Sequence, residues 1–195
     1  MPRPQRLYKF SNFDSIENIE LYRPGGFHPV SIGDVLANGR YKVLHKLGQG
    51  GTSTVWLARN QHPQSSASDT LVALKFLSAA QSSMPLDEIA HIVVPATLHA
   101  LAAASHSPAR HNILDVEDHF MVQGPNGSHL CIISQFSGPS VASMSETDRG
   151  VPGSKRLRGD LARKVAKQVA TVVELMHSTG FVHGGSSPDS HSPGV

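Results

Sequence analysis

The residues Leu47, Gly48, Gln49, Gly50, Gly51, Thr52, Ser53, Thr54 and Val55 put three glycines and three small hydroxyl side chains into one short stretch. A Cβ at position 48 or 50 would hold the backbone away from a bound anion, whereas bare glycine lets backbone amides approach phosphate oxygens. On these residues alone, a glycine-rich hairpin turn without any ligand would look similar. Lys75 changes the balance. It stands in Val72-Ala73-Leu74-Lys75, inside the apolar run from Leu71 to Leu77, where an ammonium must find an anion or a route to water. Phosphate is the natural partner, and apolar neighbours on both sides disfavour the alternative of a surface lysine on an edge strand.

These groups need a rigid frame. Tyr41 to Leu47 alternates in the manner of a strand and runs into the glycine cluster, after which Val55, Trp56 and Leu57 resume β-prone chemistry, so the two form a hairpin. Residues 62–70 are a polar loop, and Leu71 to Leu77 is a buried strand. Two more strands flank Gly124-Pro125-Asn126-Gly127, with Asn-Gly as the turn signal and His129 to Ile133 as the returning strand. The expected sheet therefore has five strands. Residues 86–104 suit a helix, but Pro95 favours a start at that proline. A second helix is expected from an Asp160 N-cap, with Leu161, Val165, Val169, Val172, Val173 and Met176 on one face and Gly180 as its stop.

A glycine loop followed by a strand lysine is part of the general protein-kinase signature. The resemblance is narrower than that. Gly25-Gly26-Phe27-His28-Pro29-Val30, Ile32-Gly33-Asp34, Ser53-Thr54-Val55-Trp56-Leu57 and Gly124 to Cys131 are similar to the corresponding segments of the SR-protein kinase family, over roughly residues 19 to 184. That family phosphorylates serine/arginine-rich splicing factors. The resemblance implies an α+β protein-kinase-like fold: a five-stranded antiparallel small-lobe sheet with a helix, then the first helices of an incomplete helical large lobe. It implies ATP as cofactor, held by residues 47–55 with Ala73 and Lys75, and magnesium by family. Ser134 would back the adenine pocket, and Gln135, Phe136 and Ser137 would form the hinge that binds adenine, with Ala73 and Val55 over its faces. The bland reading of these last residues is ordinary strand and linker packing.

The family pattern then breaks. An active kinase pairs its strand lysine with a glutamate on the next helix. Glu88 is the best candidate, but residues 95–104 hold no acid, and a solvated glutamate is the alternative. In Phe181 to Ser190, the stretch matching the catalytic loop, Gly185 stands where the family has its catalytic Asp and Ser190 where it has a metal-binding Asn. Asp189 is a stand-in with the wrong spacing. No Asp-Phe-Gly segment occurs, so no catalytic residue is intact and no metal ligand is assigned.

Composition sets the remaining bounds. The 195 residues carry 17 Lys+Arg against 15 Asp+Glu, a formal charge of +2 that gives no broad attraction to nucleic acid. Cys131 is alone, and the 12 histidines show no zinc-ligand spacing, which fits an intracellular protein, cytoplasmic or nuclear. No apolar run approaches the roughly 20 residues that span a bilayer. Arg3, Arg6 and Lys9 are followed by Asp14, Glu17 and Glu20, reading as a disordered leader rather than a transit peptide. The expected organisation is a leader over 1–18, a small lobe with N-terminal extension and hinge over 19–137, the start of the large lobe over 138–184, and a disordered tail over 185–195. The functional expectation is a truncated serine/threonine kinase domain, inactive alone, whose partners are ATP and a protein such as a serine/arginine-rich factor. The alternative is a pseudokinase-type nucleotide-binding or protein-interaction module using the uncovered second helix.

Overall fold

The computed structural model describes residues 18–61, 70–138, 140–141 and 157–182. They fall into two compact units, one drawn from Met1–Pro85 and Asp118–Ile133, the other from Leu86–Glu117 and Ser134–Val195. Residues 86–117, expected within the small lobe, thus group with the second unit.

The first unit is built on a sheet of β1 (Val35–Leu36), β2 (Tyr41–Gln49), β3 (Ser53–Asn60), β4 (Thr70–Leu77), β5 (Val116–Gly124) and β6 (Gly127–Gln135), in the order β1-β2-β3-β4-β6-β5. The expected five strands are all present, and the count is corrected to six by β1. That strand is too short to show a period. It pairs Val35 with Lys42 and Leu36 with Tyr41 through a turn in which Ala37, Asn38 and Gly39 all take positive φ. Nothing in alanine's chemistry announces a left-handed residue.

Strand alternation decides what each face does. Trp56, Ala58, Val72, Leu74 and Phe76 join Tyr41, Val43, Cys131 and Ile133 in one buried cluster. The sheet curls around it: Tyr41 of β2 stacks on Phe120 of β5 at 5.8 Å between ring centroids, and Arg40 pairs with Asp118 at 2.9 Å. Strands far apart in the order are thereby brought together across the core. A four-residue helix α1 (Ala79–Ser82) follows β4, capped by Ser78, whose Oγ accepts from Gln81 N–H at 3.4 Å.

The second unit packs α2 (Ala90–Ala104) and α3 (Gly159–Ser178) with a 3-10 turn at Pro108–Asn112. Ala102, Ala109 and Leu175 form its core, with Leu101, Ile113 and Val172 partly buried against them. The expected start at Pro95 is corrected: α2 begins at Ala90 and carries Pro95 inside. At the sixth position the ring removes the bond to the His91 carbonyl and crowds that carbonyl, and the apolar run on both sides continues the helix past it. The expected N-cap of α3 also moves, since Arg158 occupies that position and Asp160 lies in the first turn, where an acid suits the helix dipole. Gly180 ends α3 as expected, with φ +82° and its N–H donating to His177 O at 3.1 Å. A Cβ there meets nothing within 4 Å, so only backbone strain opposes it. Gly180→Ala is expected to cost about 1 kcal/mol, read as a lower urea midpoint with an unchanged slope.

Candidate functional site

The glycine stretch forms the β2–β3 turn. Gly48 pairs with Val55 and Gln49 with Thr54, and Gly50 N–H donates to Ser53 O at 2.8 Å. Thr52 O accepts from Ser78 N–H at 2.8 Å, which ties the turn to the end of β4. None of Gly48, Gly50 and Gly51 has positive φ. A Cβ at Gly48 or Gly51 would meet nothing within 4 Å, and one at Gly50 would only touch Ser53 Oγ at 3.8 Å. Neither backbone conformation nor packing in the described chain demands glycine at these positions.

Register brings the lysine beside this turn. Val55 pairs with Lys75 and Leu57 with Ala73 across β3 and β4, so all four side chains share the face opposite the buried cluster. By the same alternation Leu130 and Ile132, both buried, lie on that face of β6, because Cys131 and Ile133 belong to the cluster. Leu57, Leu130 and Ile132 were not singled out from sequence; alternation along their strands is the signal that places them. Burial lowers the Lys75 pKa from 10.5 to about 8. The ammonium thus sits on an apolar face where its charged form is disfavoured.

The other expected site residues are less alike. Leu47, Gln49, Gly51 and Thr52 are exposed, while Ser53, Val55 and Ala73 are buried. Thr54 is fully buried on the cluster side, where its Oγ1 accepts from Trp56 Nε1 at 3.2 Å, leaving only its backbone for a ligand. Gln135 ends β6 and is exposed, as is Ser137, whose Oγ donates to Gln135 O at 3.4 Å. Glu88 lies in an exposed turn before α2, and α2 itself contains no acid. Gly185, Asp189 and Ser190 lie outside the described residues, as do the leader's residues 1–17, the loop 62–69 and the tail. Among the described residues no three His, Cys, Asp or Glu side chains come together as a metal site, and no helix is long and apolar enough to cross a membrane.

No family model matches the chain. Individual proteins do. It is 36% identical to human SRSF protein kinase 3 over 197 aligned positions, covering 97% of this chain and 32% of that protein. It is 31% identical to protein kinase dsk1 of Schizosaccharomyces pombe, covering 89% of this chain and 30% of the relative. Serine/threonine-protein kinase spk-1 of Caenorhabditis elegans is 32% identical over 87% of the chain and 16% of its own length. The chain's homologues are SR-protein kinases. A solved kinase-domain structure superposes with a TM-score of 0.57 at 15% identity, covering 83% of this chain and 41% of that one, which shows the kinase fold. The chain spans about a third or less of these three SR-protein kinases, and the curled sheet and helices described above are a kinase small lobe with part of the large one.

Proposed function

We propose that this chain holds ATP as the small lobe of an SR-protein kinase-type serine/threonine kinase, with the phosphates between the glycine turn and Lys75. The observation that carries this reading is Lys75 itself, an ammonium on an apolar sheet face, opposite Val55 and behind three glycines that the fold does not require. The fit is chemical: Lys75 would donate to phosphate oxygens, the turn's amides would face the same anion, and Val55 and Ala73 would pack on the base. Gln135 and Ser137 would take the hinge role by family. When bound, ATP supplies the phosphoryl group. The SR-protein kinase relatives support serine/arginine-rich proteins as the substrate class of the whole kinase.

Transfer by these 195 residues alone is a different matter. Gly185 stands where the family has its proton acceptor, and Ser190 where it has a metal ligand, so this chain offers ATP binding without a placed general base. Adding ATP at a hundredfold excess over its Kd is expected to stabilise the chain by about 2.7 kcal/mol, read as a rise in melting midpoint. No rise would count against the nucleotide site, and ATP-dependent phosphorylation of a serine/arginine-rich peptide would overturn the claim of inactivity. A second reading, a partner-binding pseudokinase, draws on α3, where Val169 is 56% exposed on the apolar face.

The titration of Lys75 fixes a pH dependence. Anion binding requires the ammonium, and in the ligand-free protein this group gives up its proton near pH 8. ATP affinity is therefore expected to hold up to about pH 8 and to weaken above it, by up to tenfold per pH unit. Dissociation constants at pH 7.5 and 9.5 check this, and equal values would contradict it.

A further inference from the structure

The chain ahead of β1 is strapped onto the sheet. Gly25 N–H donates to Asn126 O at 2.8 Å, Ala79 and Ala80 N–H donate to Gly26 O and Gly25 O at 2.9 Å each, and Phe27 N–H donates to Leu21 O at 2.8 Å. Asn126 Nδ2 returns a bond to Phe27 O at 2.7 Å. Behind buried Phe27, His28 enters the sheet's interior at 8% exposure and stacks on Phe76 with ring centroids 5.6 Å apart. Its ring is 4.9 Å from that of fully buried His129. A Cβ at Gly124 would lie 2.4 Å from His28 Nδ1, so β5 is cut to fit this imidazole.

The hydrogen-bond partners of the two rings are few. His129 Nδ1 is 3.0 Å from Leu77 O, and a carbonyl only accepts, so Nδ1 carries the hydrogen and Nε2 is left as a lone pair. That Nε2 is buried with no hydrogen-bond partner, and so is His28 Nδ1. A bare lone pair in such a place costs less than an N–H with no acceptor. A protonated His28 would carry a donor at Nδ1, where no acceptor lies within reach.

We propose that His28, seated against Phe76 and His129, is an acid-released latch, in which protonation of His28 expels its ring from the sheet and undocks the strap over residues 22–30. Burial and the neighbouring groups set the proton affinity of His28. Burial lowers the His28 pKa below 6.5, His129 lowers it again, and Asp34 opposes both with the smallest effect. Cys131, two residues along β6 on the same face as His129, is held as a neutral thiol by burial and supplies no anion. The sign follows from the depressed value: above pH 6.5 docked and undocked forms are both neutral and docking is complete. Below it, the undocked imidazole takes a proton that the docked one refuses, and each pH unit weakens docking up to tenfold until the docked pKa is reached. Release would strip the stacked ring from Phe76, next to Lys75 on β4. The latch stands on the strap's own geometry and does not need the nucleotide reading.

Hydrogen exchange of the full chain between pH 7.5 and 5.0, corrected for intrinsic rates, tests it. Peptides covering residues 24–30 and 78–81 should lose protection by about tenfold per pH unit below about 6.5, while β3 keeps its protection. His28→Phe should remove that acid step. Flat protection in the unsubstituted protein, or the same loss in His28→Phe, would overturn the latch. Should the variant not fold, the His28 ring resonance of the unsubstituted protein decides: an inflection below 6.5 is required, and one at or above it rejects the proposal.

Discussion

Replacing Lys75 with Met should abolish the chain's response to ATP and remove the lysine's share of the pH dependence of its stability. Lowering the lysine pKa from 10.5 to about 8 means that keeping this ammonium charged in the fold costs on the order of 3 kcal/mol. Methionine has a similar length and suits the apolar neighbours Val55 and Ala73, so the variant should keep the fold. The sign can be checked by pH. The unfolded lysine holds its proton up to 10.5 and the folded one only to about 8, so the cost is fully present below pH 8 and fades as pH rises between these values. The unsubstituted protein should therefore gain stability across that window, and Lys75→Met should not. A lysine with no part in ATP binding would give a variant whose midpoint ATP still moves.

Phe76→Ala is expected to be the most damaging core change, at about 3–5 kcal/mol. The ring is 1% exposed, lies in the buried cluster and stacks on His28. Truncating it opens a cavity and removes the surface against which the strap is pressed. Since small domains are stable by only about 5–15 kcal/mol, this loss should leave the first unit close to unfolding at physiological temperature. Urea unfolding read through Trp56 reports it directly, because the chain's one tryptophan belongs to that cluster. Met84→Ala, at a half-exposed position, is the matched control and should stay within about 0.5 kcal/mol.

The frame of the site was legible because a strand writes its two faces into the sequence. In Val72-Ala73-Leu74-Lys75-Phe76, alternation sends Val72, Leu74 and Phe76 inward and leaves Ala73 and Lys75 on the other side, and the register then sets Val55 opposite Lys75. α3 was legible for the same reason at a different period, with Gly180 marking its end. What escaped depends on tertiary context. The two residues of β1 lead into a turn in which Ala37 takes φ 48°, and α2 carries Pro95 inside it, with apolar residues on either side. Thr54 looked like part of the phosphate turn, but its neighbour Trp56 claims its hydroxyl. The His28–His129 contact joins residues about a hundred positions apart, and no local pattern could announce it.

If Lys75 meets a phosphate chain on this face, the titration of its own side chain reports it most directly. Followed by NMR at the Lys75 side-chain methylene next to the amine, the ligand-free protein should titrate near pH 8. Saturating ATP should raise that midpoint by more than one unit, because adjacent phosphate charge favours the ammonium. An unchanged midpoint with ATP bound would place the nucleotide elsewhere and contradict the account.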